Sequence, residues 1–125
     1  MEQLKLLKYL LDSFKEPVML MDTQHIIRYL NPASAKRYKV RTTYVDRSIF
    51  KCHNEHSNRM ILDAFKCLES GQEEMLLTED AQYLMFMRAV RDEEGILLGY
   101  FVRFAPKTAE DVPVADKTVL PLHPE

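Results

Sequence analysis

The sequence predicts an α+β domain in which a five-stranded antiparallel sheet carries short helices on one face. Three observations predict this class. The chain has 125 residues, 46% of them hydrophobic, which is typical of one soluble domain with its own core. Short apolar runs suited to strands lie on both sides of a helical middle segment. The resulting order of one helix, two strands, short helices and three strands is typical of an α+β fold.

Composition and charge narrow the possible functions. Seventeen basic and nineteen acidic side chains give a formal net charge of −2, without the basic excess that binding to nucleic acid phosphates requires. We therefore expect no direct nucleic-acid partner. No signal peptide and no run of about 18 apolar residues occurs, so we expect a cytoplasmic protein with no membrane contact. The two cysteines, Cys52 and Cys67, are expected to be free thiols.

The first element is an amphipathic helix in residues 1–15. Four apolar side chains recur at three- and four-residue spacing and share one helix face: Leu4, Leu7, Leu11 and Phe14. Either the sheet of the same chain covers this stripe or the same helix of a second copy does, since the spacing also fits a short coiled coil. We predict a homodimer through these four residues, because an exposed stripe of this kind would be sticky.

A hairpin follows the helix. Residues 17–22 and 25–30 are short apolar runs separated by two polar residues, a pattern that predicts two strands and a tight turn. Both strands carry apolar side chains on both faces, so the sheet needs cover on each side. His25 falls next to the turn and is expected to be exposed.

Two helices are predicted in the middle of the chain. Asn31 and Pro32 are typical of a helix N-cap and a first helical position, so residues 33–38 form a short helix. Residues 41–50 show no clear period. A longer helix spans residues 54–70 and buries an apolar stripe made of Met60, Ile61, Ala64, Phe65 and Leu68.

Three strands close the domain, in residues 73–78, 82–91 and 96–104. Gly95 lies in the last turn and suits a positive φ. By the two-residue period of a strand, Met85 and Met87 project to one face of the penultimate strand. The expected organisation is a helix in residues 1–15, a core in residues 16–105 and a proline-rich tail in residues 106–125. The tail's apolar residues would allow it to dock as an extended strip, although proline-rich ends are more often mobile.

Catalysis and zinc binding are the alternatives to a binding module. Neither a glycine-flanked serine nor a cysteine-histidine protease signature is present, and three isolated glycines cannot form a phosphate loop. We therefore expect no enzyme. Four residues with zinc-binding side chains occur between positions 52 and 67, but their spacing is wrong for the usual zinc ribbons and fingers, and we interpret Cys67 as a small buried residue: Cys52, His53, His56 and Cys67.

From residue 3 to residue 105 the chain resembles the PAS sensory domain. Four motifs in the expected order carry the resemblance: Asp22 with the apolar strand 26–30 and Asn31-Pro32-Ala33, then Asp46-Arg47-Ser48, Arg91-Asp92-Glu93-Glu94-Gly95, and Leu98-Gly99-Tyr100. Cys52-His53 is similar to a pair found in a bacterial subgroup of the family. The resemblance implies a signal-input module, often dimeric, with a cavity between helices and sheet that holds haem, a flavin, a metabolite or nothing.

Within this resemblance, haem is the favoured cofactor. His53 stands where haem-binding members place their histidine, and Met85 or Met87 would be the second iron ligand. His56 is the alternative histidine. Ile61 and Phe65 would line the cavity, with Asn31, Tyr38 or His53 as its polar anchors. The flavin motif Asn-Cys-Arg-Phe-Leu of light-sensing members is absent.

The sequence therefore predicts a PAS module that binds a small ligand or haem and passes its state to an unknown output protein by contact. The alternative is a PAS module without cofactor whose function is dimerisation.

Overall fold

The computed structural model describes residues 1–39, 41–52 and 54–107, and only the backbone of Thr42 and Cys52. The helices are α1 (Gln3–Asp12), α2 (Pro32–Tyr38) and α3 (Glu55–Glu69), and the strands are β1 (Met19–Asp22), β2 (Ile27–Leu30), β3 (Glu74–Glu79), β4 (Tyr83–Arg91) and β5 (Leu97–Pro106). Two 3-10 turns, Thr42–Tyr44 and Ile49–Cys52, occupy the stretch without a clear period. The predicted tail lies outside the described residues from position 108 onward.

The five strands form one antiparallel sheet in the order β2-β1-β5-β4-β3, which confirms the predicted fold. Strands β1 and β5, the first and last of the described strands, are therefore neighbours, and Met19 lies opposite Val102. Their close approach requires Gly99. A Cβ atom at this position would collide with the carbonyl oxygen of Met21 and lie 3.2 Å from Cα of Asp22.

Side-chain caps begin two helices where the sequence predicts them. The Asn31 side chain accepts a hydrogen bond of 2.9 Å from the Ser34 amide at the start of α2. Asn54 does the same for the Ser57 amide of α3, at 2.8 Å. Each cap satisfies one of the amides that the first helical turn leaves without a partner. Gly95 adopts a φ of 82°, as predicted for the turn between β4 and β5.

The core lies between α3 and one face of the sheet, which we call the inner face. Of the predicted apolar stripe on α3, the side chains of Ala64, Phe65 and Leu68 are buried, whereas Met60 and Ile61 are half-buried. Opposite them, Met87 and Tyr100 are almost completely buried. A helical stripe packed on an apolar sheet face explains why the middle and end of the chain fold together.

Helix α1 is amphipathic as predicted, but the described part of the chain buries none of its residues. Leu4 is 71% exposed, Leu7 48% and Phe14 44%. Leu11 is half-buried. The hypothesis that the chain's own sheet covers the whole stripe is therefore wrong for the residues that the structure describes.

Candidate functional site

An interior cavity of about 40 Å³ lies between the helices and the inner face of the sheet. Strands β1, β3, β4 and β5, helices α2 and α3, and the turn Ile49–Cys52 all contribute side chains to it. The walls are apolar apart from two tyrosines. Four of the lining residues are methionines: Met19, Met21, Met85 and Met87.

Four of the six predicted site residues meet at this cavity, namely Tyr38, Ile61, Met85 and Met87. The alternation of a pleated strand explains why the two methionines of β4 point to the same side. Phe65 is buried in the adjoining core, where its ring contacts that of Tyr100. His53 lies outside the described residues.

The two tyrosines of the cavity are uncharged at neutral pH, because burial raises the pKa of both hydroxyls. Tyr100 is hydrogen-bonded to Nδ1 of His25, at 2.8 Å. Tyr38 packs its ring against Phe104, with the ring centroids 6.2 Å apart. The cavity is therefore neutral as well as apolar, and suits an uncharged ligand.

His25 was expected to be exposed, and this prediction is wrong. Its side chain is only 9% exposed and packs between the rings of Phe50 and Phe65. The two polar residues before it in the sequence, Thr23 and Gln24, are typical of an exposed turn, but its φ of 66° places the backbone in the left-handed region. We attribute the inward position of the ring to this backbone conformation.

Asn31 is a connecting residue and does not line the cavity, contrary to its predicted role as a polar anchor. Its Oδ1 accepts hydrogen bonds from the amides of Val18 and Ser34, at 2.9 Å each. Its Nδ2 donates to the carbonyls of Leu11 and Glu16, at 3.1 Å each. With no exposed surface, this side chain joins the end of α1 and the segment before β1 to the start of α2.

No group of three or more histidine, cysteine or acidic side chains suited to a metal ion occurs among the residues that the structure describes. His56 is exposed on α3. Cys67 is half-buried rather than buried, as a free thiol beside a shallow groove between α3 and β3. The Cys52 side chain and His53 lie outside the described part, so the zinc hypothesis is not tested.

The opposite, outer face of the sheet carries an apolar groove of about 660 Å³. Leu11 and Phe14 border it from the end of α1 and the residues after it, and Leu20, Tyr29 and Phe101 form part of its floor. Tyr29 also donates a short hydrogen bond to the Asp12 carboxylate. This bond ties the last residue of α1 to the sheet.

A five-stranded antiparallel sheet that packs its inner face on short helices around a small apolar cavity defines a single-sheet domain of the α+β class. The family model described as PAS domain matches residues 7–105. The chain belongs to the PAS domain family. The comparison with curated proteins gives no match.

Solved structures show the same fold at low sequence identity. A C-terminal domain from Streptococcus mutans superposes with a TM-score of 0.69 at 15% identity, covering 91% of this chain and 89% of that one. The PAS domain of a Colwellia psychrerythraea protein gives 0.61 at 13%, covering 86% and 98%. A sensory box sensor histidine kinase from Vibrio cholerae gives 0.58 at 13%, covering 83% and 91%.

None of the helices in the described residues is long and apolar enough to span a bilayer.

Proposed function

We propose that this chain is the input module of a signalling protein, which binds a small uncharged ligand in the interior cavity and passes the bound state to a partner protein by contact. The observation that carries the proposal is the cavity itself, because its walls come from α2, α3 and four strands. A ligand there touches most elements of the domain at once. Four methionine side chains make the walls adaptable, since thioethers are flexible and polarisable.

The size of the cavity favours a ligand of a few atoms. A space of about 40 Å³ accommodates a diatomic gas or one to a few water molecules, whereas pockets for larger ligands measure roughly 300–1,000 Å³. The space between α3 and the sheet does not fit haem as it stands. Haem therefore remains the second candidate, supported by Met85 and Met87 on the cavity wall and requiring α3 to move away from the sheet.

The test uses xenon as a small apolar probe and the methionine methyl groups as reporters. We expect xenon to shift the NMR signals of Met19, Met21, Met85 and Met87. The signal of Met1, which is 85% exposed, should stay unchanged. Ile61→Phe should abolish the shifts by filling the cavity. Leu62→Phe, on the exposed side of the same helix, is the matched control and should preserve them.

Methyl signals that do not respond would refute the proposed ligand site and favour the cofactor-free dimerisation module. A parallel titration with haem decides the second candidate. A strong absorption band that Met85→Leu or Met87→Leu changes would support haem, and no band at micromolar protein would exclude it.

For the output we propose a homodimer through Leu4, Leu7, Leu11 and Phe14. The exposed stripe of α1 and the apolar groove beside it support this proposal. Light scattering should report a dimer that Leu7→Asp with Leu11→Asp dissociates. Lys5→Asp changes the net charge by the same amount away from the stripe and should leave the dimer intact. A wild-type monomer at high concentration would contradict the proposal.

We further propose that the module acts by binding rather than by catalysis, and that it works in the cytoplasm. The absence of a nucleophile motif from the sequence supports the first point, and the sparse cysteines support the second.

A further inference from the structure

His25 lies where three parts of the fold meet. It occupies the turn between β1 and β2, and its imidazole reaches Phe50 of the turn Ile49–Cys52, Phe65 of α3 and Tyr100 of β5. The ring centroids of Phe50 and Phe65 are 4.8 and 4.6 Å from its own. The backbone reinforces this junction, since the Ile49 amide donates to the His25 carbonyl at 2.9 Å.

The junction is built for a neutral imidazole. The hydrogen-bond partner of Nδ1 is a phenol and not a carboxylate, and two of the flanking rings are apolar. A charged group in such surroundings loses its hydration without gaining a counter-ion in return.

The ionisable groups around the junction do not change this conclusion. On the same hairpin, Asp22 already accepts from the amides of Gln24 and Ile26 and pairs with Arg28 at 2.8 Å. On α3, Glu69 is exposed, and Lys51 of the 3-10 turn is exposed as well. Burial lowers the pKa of His25, while Asp22 and Glu69 oppose that shift.

We propose that His25 is a proton-operated latch, whose protonation releases the turn Ile49–Cys52 and helix α3 from the β1–β2 hairpin. Ile49 and Tyr100 line the interior cavity, so the release opens that cavity to solvent. The proposal goes beyond ligand binding, because it makes acidification a signal of its own. It holds whether or not the cavity takes a ligand.

The direction of the pH effect follows from the lowered pKa. Between the folded-state pKa and the ordinary value of about 6.5, the unfolded chain binds more protons than the folded one. The stabilising effect of the neutral ring is complete above pH 6.5 and is lost as the pH falls. In that interval the equilibrium constant for unfolding should rise by up to about tenfold for each pH unit.

The experiment compares the full chain with His25→Gln, which keeps a polar side chain that does not titrate. Urea unfolding between pH 8 and pH 5 should show a steeper loss of stability in the wild type. His56→Gln, at an exposed position of α3, is the matched control and should follow the wild type. Equal pH dependence of the wild type and His25→Gln would overturn the latch.

A second measurement needs no variant. NMR titration of the wild type should give His25 a pKa below the ordinary value. Hydrogen exchange at the Ile49 amide, corrected for intrinsic rates, should accelerate on acidification more than at the Asn31 amide, which bonds to Val18 away from the junction. An ordinary or raised His25 pKa, or an Ile49 amide that stays as protected as Asn31, would refute the proposal even if the variant fails to fold.

Discussion

The two faces of the sheet are both apolar, but their side chains are buried to different extents. On the inner face Met21, Met87 and Tyr100 are almost completely buried under α3 and its neighbours. On the outer face Tyr29 and Phe101 are half-buried along an open groove. The difference shows that an apolar strand pattern predicts that a face needs cover but does not identify what covers it.

The two ends of the outer face differ in what covers them. Near β3 the Glu74 carboxylate is buried in a paired contact with Arg103, at 2.6 and 3.0 Å, and lies 3.7 Å from Arg88. The Arg103 guanidinium lies 4.5 Å from the ring centroid of Phe86, so the chain covers this end with its own charged side chains. The part of the face that remains open lies near α1.

The largest contrast between the faces should appear in stability. Met87→Ala removes a fully buried side chain, and we expect it to lower the free energy of unfolding by about 3 kcal/mol through lost contacts and a larger cavity. Phe101→Ala deletes a bulkier side chain on the outer face but should cost only about 1–2 kcal/mol in the monomer. Urea unfolding at dilute protein concentration measures both, and equal losses would contradict the comparison.

An intermediate effect is expected at the residue that connects the faces. Asn31→Ala removes the cap of α2 and leaves the Val18 amide and the Glu16 carbonyl without this partner, which should cost about 2–3 kcal/mol. Asn54→Ala removes a cap alone and should cost about 1 kcal/mol. If the two variants unfold at the same urea concentration, the connecting role of Asn31 is wrong.

The smallest effect concerns the contact between α1 and the outer face. The pKa of Asp12 is lowered, first by the hydrogen bond from Lys8 and then by the one from Tyr29. Tyr29→Phe should therefore raise the Asp12 pKa part of the way towards its ordinary value. An NMR titration measures this shift. The single variant Lys8→Ala should raise the Asp12 pKa more than Tyr29→Phe does, because the Lys8 hydrogen bond is the larger cause.

The sign of this effect can be checked independently. A carboxylate with a lowered pKa stabilises the fold above its ordinary pKa, and that stabilisation is lost as the pH falls through the folded value. The stability difference between wild type and Tyr29→Phe should therefore shrink under acid conditions. A difference that stays constant on acidification would show that Tyr29 acts through packing rather than through Asp12.

Regular periods and capping residues explain which parts of this fold could be predicted. The stripe of α3, the caps Asn31 and Asn54 and the shared face of Met85 and Met87 all follow from local patterns. The 3-10 turns could not be predicted in this way, because they are too short to show a period.

The sequence predicted less of the candidate site than of the fold. Ile61 is predicted from the apolar stripe of α3, and the two methionines of β4 from the two-residue period of a strand. Tyr38 is predicted only as a polar anchor of the cavity. His25 was missed because the two residues before it are polar and its inward position accompanies a left-handed backbone that the sequence does not reveal. Tyr100, its hydrogen-bond partner, comes from a strand 75 positions away. Contacts of this range leave no local signal.

The central position of β5 has a consequence for how the chain assembles. Met19 can pair with Val102 only after roughly 80 further residues have been synthesised. The loop between them is long, and the entropy of closing it is lost before the contacts between β1 and β5 stabilise the fold. Until β5 arrives, the hairpin of β1 and β2 has an unpaired edge and uncovered apolar faces. The nascent chain is therefore most prone to aggregation just before β5 leaves the ribosome.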